Sequence, residues 1–238
     1  MSEQKNIIPL GRQDFDRDLG KLEAELILMS GLVEQAIFNA LNALKSRDVD
    51  KSQKIIDEDD NIDQTELEIE RSCIELIRRE APMAGDLRRI VASLHIAGEL
   101  ERIGDYAEGI AKISITMGRQ PPIKELIDIP RMGDMAVRML KRSLEAFISR
   151  DANLVRTLSV ELEKEDDEVD DLYAKVQADL LELVKADPEN AEPATYLMRV
   201  AHNVERIADR AMNIVERALY QATGELVSGS TQIEPLAE

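Results

Sequence analysis

The chain has 238 residues and a net charge of −18, with 44% hydrophobic and 3% aromatic residues, no tryptophan and a single cysteine. The apolar fraction is that of a folded protein, and a core this poor in rings must draw on Leu, Ile, Val, Ala and Met, which suits packed helices better than a β-sandwich. The charge sets the chain against nucleic acid and anionic lipid and in favour of cations, and lone Cys73 leaves neither an internal disulfide nor a Cys-rich zinc site.

Residues 1–13 read as an N-terminal extension, and residues 1–14 lack the apolar centre of a signal peptide. From Leu19 the apolar residues step by three and four through Leu22, Leu26, Met29, Val33, Ala36 and Ala40, the seam of a long helix packed lengthwise on neighbours. No apolar run approaches the roughly eighteen residues of a transmembrane span, so a cytoplasmic protein is expected. Ser46-Arg47-Asp48 breaks the first helix, and Asp48 can cap a second that runs to about Arg79, where Ala81-Pro82 ends it. A third helix extends from about Ala84 to Met117, with Gly118 as its stop.

Gly118, Pro121, Pro122 and Pro130 mark a linker at 120–130, separating a first bundle at 14–119 from a second at 131–223. The second bundle repeats the plan. A fourth helix from Arg131 to Ser149 breaks at Arg150-Asp151, a fifth reaches about Lys185 before Asp187-Pro188, and a sixth covers about Glu192 to Ala222. Residues 224–238 read as a flexible tail.

The internal repeat is explicit. Glu101-Arg102-Ile103-Gly104-Asp105 recurs as Glu205-Arg206-Ile207-Ala208-Asp209, and Glu58-Asp59-Asp60-Asn61-Ile62-Asp63 as Glu165-Asp166-Asp167-Glu168-Val169-Asp170. The pairs Asp59/Asp63, Glu101/Asp105, Asp166/Asp170 and Glu205/Asp209 each place two carboxylates one turn apart on a helix face. Acids fill 48 of 238 positions, so about nine or ten such pairs arise by chance, and the spacing alone decides nothing. What singles out these four is that the repeat reproduces them. On α-helical geometry Glu101, Asp105 and Glu108 lie opposite the Ile96/Leu100/Ile103 stripe, and Asp59, Asp63, Glu66 and Glu70 form a row beside Ile55/Ile62/Ile69. Each bundle can therefore converge two acidic faces. Oxygen-only ligands suit hard multivalent cations such as Mg, Mn, Ca or iron, whereas the plain alternative is a solvated acidic face.

Other residues carry less. His95 and His202 fall outside Glu-x-x-His sequences, against a ferritin-like di-iron oxidase. His95 is expected to be partly buried, and His202 to lie beside Glu205. Cys73 falls on an apolar stripe and reads as core, while Arg102 and Arg206 read as salt-bridge partners of acids one turn away.

Pro82-x-Ala84-x-Asp86-Leu87-Arg88, the two Glu-Arg-Ile-x-Asp segments, the two Asp-x-x-x-Asp segments, and Arg47-Asp48 with Arg150-Asp151 together resemble the PhoU family of phosphate-uptake regulators, over roughly residues 14–222. The resemblance implies an all-α fold of two tandem three-helix bundles related by a pseudo-two-fold, with metal-binding acidic faces. It implies one cluster at Asp59, Asp63, Glu101 and Asp105 and another at Asp166, Asp170, Glu205 and Asp209, holding Fe, Mn, Mg or Zn. It further implies a homodimer that docks on the ATPase subunit of the phosphate ABC transporter and on the phosphate-sensing histidine kinase, meeting the membrane only through the transporter. The sequence departs from the family pattern at Ala81, Tyr106, Arg210 and Gly109, and Arg150 to Asp170 is about one helical turn longer than Arg47 to Asp63. The reading that follows is a non-catalytic regulator; a metal-dependent hydrolase with a multinuclear carboxylate site is the alternative.

Overall fold

The computed structural model describes residues 10–225, 227–228 and 231–232, the side chains from Arg12 to Glu225. Six long helices make up the architecture: α1 (Leu10–Ser46), α2 (Val49–Glu80), α3 (Ala84–Met117), α4 (Asp128–Ser149), α5 (Ala152–Ala186) and α6 (Ala191–Thr223). Helices α1–α3 pack on one another as one bundle, and α4–α6 as a second. Across the boundary α3 lies against α6 and α1 against α4. Repeat equivalents thus face each other, as a pseudo-two-fold requires.

The turns show why the helices break where they do. Arg47 and Arg150 both adopt left-handed backbone, with φ of 55° and 56°. At the first, Asp48 N–H returns to the Ala43 carbonyl at 3.0 Å and Arg47 N–H to Leu44 at 3.3 Å, which satisfies carbonyls that the helix end leaves open. The next residue then opens the following helix. Asp48 Oδ1 accepts from Lys51 N–H at 3.0 Å, and Asp151 Oδ1 from Asn153 N–H at 2.8 Å and Leu154 N–H at 3.2 Å. Arg-Asp is therefore a two-residue hinge that reverses the chain in each repeat.

Three boundaries differ from the sequence expectation. Helix α1 begins at Leu10, before the apolar seam, because Arg12–Asp16 and Arg17–Asp14 pair along its surface while Phe15 is buried. Residues 1–9 of the expected extension lie outside the described residues. Helix α4 begins at Asp128, which puts Pro130 in a first turn where no N–H is needed and shortens the linker. Within the expected tail, Val227–Ser228 pairs antiparallel with Thr231–Gln232.

The core is continuous and aliphatic, from Leu19, Leu22, Leu26 and Met29 in α1 to Val204, Ile207 and Ile214 in α6, all with no more than 1% exposure. Helix α1 is also apolar outside its seam, with Ile27, Leu28, Leu32 and Phe38 exposed. By length and composition its Arg12–Ser46 stretch could span a membrane, contrary to the sequence reading; a core helix passes the same test.

Candidate metal centre

In each bundle the second and third helices bring their carboxylates together on the face away from the core. In the first, Asp59 from α2 meets Asp105 and Glu108 from α3, and one oxygen of each lies within 4.8 Å of the others. The two helices lie close at Gly104, where a Cβ would stand 3.1 Å from Ile62 Cδ1 and 3.3 Å from Asp59 Oδ1; the repeat equivalent, Ala208, carries one. Burial, then the charges of Glu108, Asp63 and Asp105, push the Asp59 carboxyl up to about 7. Glu101 is also raised, by burial and by Asp105, and Asp105 by burial and Asp63. In each case loss of solvent is the larger cause and the neighbouring carboxylates add to it. Lys112 pairs with Glu108 at the edge of the group.

The second bundle reproduces the convergence. Asp166 of α5 is pushed up to about 7 by burial, then by Asp209, Asp170 and Glu205, which are the residues the repeat assigns. Asp170 and Glu205 are raised as well, each by burial first. The extra turn before Asp166 does not carry it away from its partners. Two things differ. Met212 stands where the first bundle has Glu108, and Asp209 is drawn to Arg206 at 2.6 Å. Among the described residues only Asp59, Asp105 and Glu108 form a trio this tight.

Of the eight sequence-assigned acids only Asp59 and Asp105 enter the trio; Asp63 and Glu101 act on it through their charge, and Asp166, Asp170, Glu205 and Asp209 act on one another in the same way. Glu108, on the acidic stripe of α3, joins the trio although the repeat does not reproduce it, so the repeat alone does not point to it. His202 lies beside Glu205, Nδ1 to Oε2 at 3.4 Å, with its ring 6.1 Å from that of Tyr173. His95 lies off the Ile96/Leu100 stripe with much of its surface exposed, and burial of the rest, then Arg217, pushes its imidazole down. Cys73 is fully buried, its thiol directed at the Ile90 carbonyl at 3.7 Å and pushed up to about 12 by burial. Such a thiol is inert. A groove of about 220 Å³ beside Asp59 is lined by Leu32, Ala36, Ile55, Ile62, amides and Glu58, with no hydroxyl, thiol, histidine or lysine among its lining residues. Chemically, carboxylate oxygens that repel one another at this spacing fit a hard multivalent cation, which would relieve the repulsion.

The boundary between bundles explains the unusual residues of α3 and α6. Glu99 of α3 accepts from Arg210 at 3.4 Å and Asn213 at 3.1 Å, both from α6. Tyr106 lies near Arg206, and a Cβ on Gly109 would come within 2.8 Å of Asn203 Nδ2. The two helices therefore run antiparallel, and each departure at 106, 109 and 210 fits the side chain opposite.

The PhoU domain model matches residues 26–114 and again 129–218, one match per bundle. The chain belongs to the PhoU family. Its relatives include the phosphate-specific transport system accessory protein PhoU homolog of Aquifex aeolicus, 39% identical over 211 residues that cover 89% of this chain and 94% of that one. The homolog so named in Rhizobium meliloti is 35% identical, covering 90% of each chain. The crystal structure of the phosphate transport system regulatory protein PhoU from Streptococcus pneumoniae superposes with a TM-score of 0.81 at 30% identity, covering 90% of this chain and 99% of that one. PhoU from Pseudomonas aeruginosa gives 0.81 at 29%, over 88% and 99%. These PhoU structures share the all-helical fold over nearly the whole chain.

Proposed function

We propose that this chain is a non-catalytic regulator of phosphate uptake and phosphate-responsive signalling. It acts from the cytoplasmic side by docking on the ATPase subunit of the phosphate ABC transporter and on the phosphate-sensing histidine kinase. The observation that carries the reading is coverage: relatives named as accessory proteins of the phosphate-specific transport system match this chain nearly end to end.

The carboxylate clusters serve in this reading as cation sites. Asp59, Asp63, Glu101, Asp105 and Glu108 would hold Fe, Mn, Mg or Zn in the first bundle, and Asp166, Asp170, Glu205 and Asp209 in the second. A bound cation supplies charge neutralisation, which draws α2 to α3 and α5 to α6. The residues themselves set the spacing and exclude water on the core side through Ile62, Val169, Ile103 and Ile207, all buried. The test is capture from detergent-solubilised membranes with the tagged full chain: recovery of the transporter ATPase subunit or the kinase is expected. Recovery of neither, with the protein folded and metal-loaded, contradicts the docking.

A further inference from the structure

Each carboxylate cluster holds a basic side chain of its own, and the two are not repeat partners. In the first bundle it is Lys112, paired with Glu108 and 57% exposed. The equivalent position in the second bundle is an acid, Glu216. There the cation comes instead from Arg206, whose Nη1 lies 2.6 Å from Asp209 Oδ2 and whose side chain is 35% exposed. The repeat equivalent of Arg206 behaves differently: Arg102 turns to Glu99 at 3.3 Å and leaves Asp105 to its cluster.

Arg206 also lies near Tyr106 of the first bundle. A guanidinium, with its planar fork of donors on a carboxylate, is a stronger occupant than an ammonium on an exposed, flexible stem. The second cluster further lacks the carboxylate that Glu108 contributes to the first, Met212 standing in its place.

We propose that Arg206 is a positioning residue that competes with divalent cations for Asp209, so that the two repeats load unequally. The cluster at Asp59, Asp105 and Glu108 fills at the lower cation concentration, and a cation entering at Asp166, Asp170 and Glu205 must first displace Arg206. This rests on the cation reading of the clusters given above.

The test is Mn²⁺ binding to the metal-free full chain, followed by the electron paramagnetic resonance signal of free Mn²⁺. Two affinity classes are expected, with Asp59→Asn removing the tighter and Asp166→Asn the weaker. Arg206→Gln is expected to tighten the weaker class by about tenfold, the worth of one charge-assisted contact. Arg102→Gln should change neither class, and Lys112→Gln only the tighter. A merely structural salt bridge predicts the reverse sign, since its loss would loosen the site. Arg206→Lys keeps the charge but loses the fork, and an intermediate affinity is expected even if the Gln variant does not fold. A weaker class that is unchanged or weakened in folded Arg206 variants overturns the competition, as do two equal classes in the wild type. No Mn²⁺ binding by the wild type overturns the cation reading and the inference together.

Discussion

Asp59 and Asp166 are the residues at which acidity works against the fold. Both carboxyls are pushed from an ordinary 3.8 to about 7, by burial first and neighbouring carboxylates second. The sign of the consequence follows from proton counting. Between pH 4 and 7 the folded chain holds protons there that the unfolded chain has released, so these two groups favour folding at low pH and oppose it above 7. Metal-free protein carrying Asp59→Asn and Asp166→Asn is therefore expected to melt higher than wild type at pH 8, with the gap closing towards pH 5. Circular dichroism melts check this, and a gap independent of pH contradicts it. At this scale the sequence exposed the acids only because two repeats display them. Glu108 has no acidic counterpart in the second repeat, and a periodic reading passes over such a residue.

Among the elements, the Arg-Asp hinges are the plainest case of local sequence deciding local structure. Asp48 and Asp151 each accept a backbone N–H at the start of a helix of 32 and 35 residues. Asp48→Ala and Asp151→Ala are each expected to cost about 1 kcal/mol, read as a shift in urea midpoint with unchanged slope. The caps, Gly118 and the proline stops were legible because their chemistry is local. The starts of α1 and α4 were not. Leu10 to Asp18 is helical through surface ion pairs and the burial of Phe15, and Pro130 reads as a break until its place in a first turn is known. The outer face of α1 carries Ile27, Leu28, Leu32 and Phe38 between the seam positions, which a heptad pattern does not register.

For the whole molecule, the joint between bundles rests on aliphatic packing of α3 against α6 and on buried polar groups that include Glu23 of α1 with Arg89 and Arg150, and Glu99 of α3 with two partners from α6. Glu99 and Arg210 are only 15% and 16% exposed, and Asn213 completes the set. Removing one partner strands the other, so Glu99→Ala is expected to cost about 2–3 kcal/mol, most of it recovered in Glu99→Ala with Arg210→Met. Denaturant unfolding of the two variants checks this; equal losses in both contradict it. The sequence showed that Tyr106, Gly109 and Arg210 break the family pattern, but not why. Their cause is an antiparallel pairing of helices about a hundred residues apart, which no local pattern encodes.

The same scale holds the claim that matters most, that this chain restrains phosphate acquisition and uses its carboxylate clusters to do so. The most direct measurement is a phosphate-responsive reporter in phosphate-rich medium, in a strain lacking the chain and then complemented. The reporter is expected to rise on deletion, to fall with the wild-type chain, and to stay high with folded Asp59→Asn/Asp166→Asn protein. A reporter and a phosphate uptake rate that deletion leaves unchanged would contradict the account.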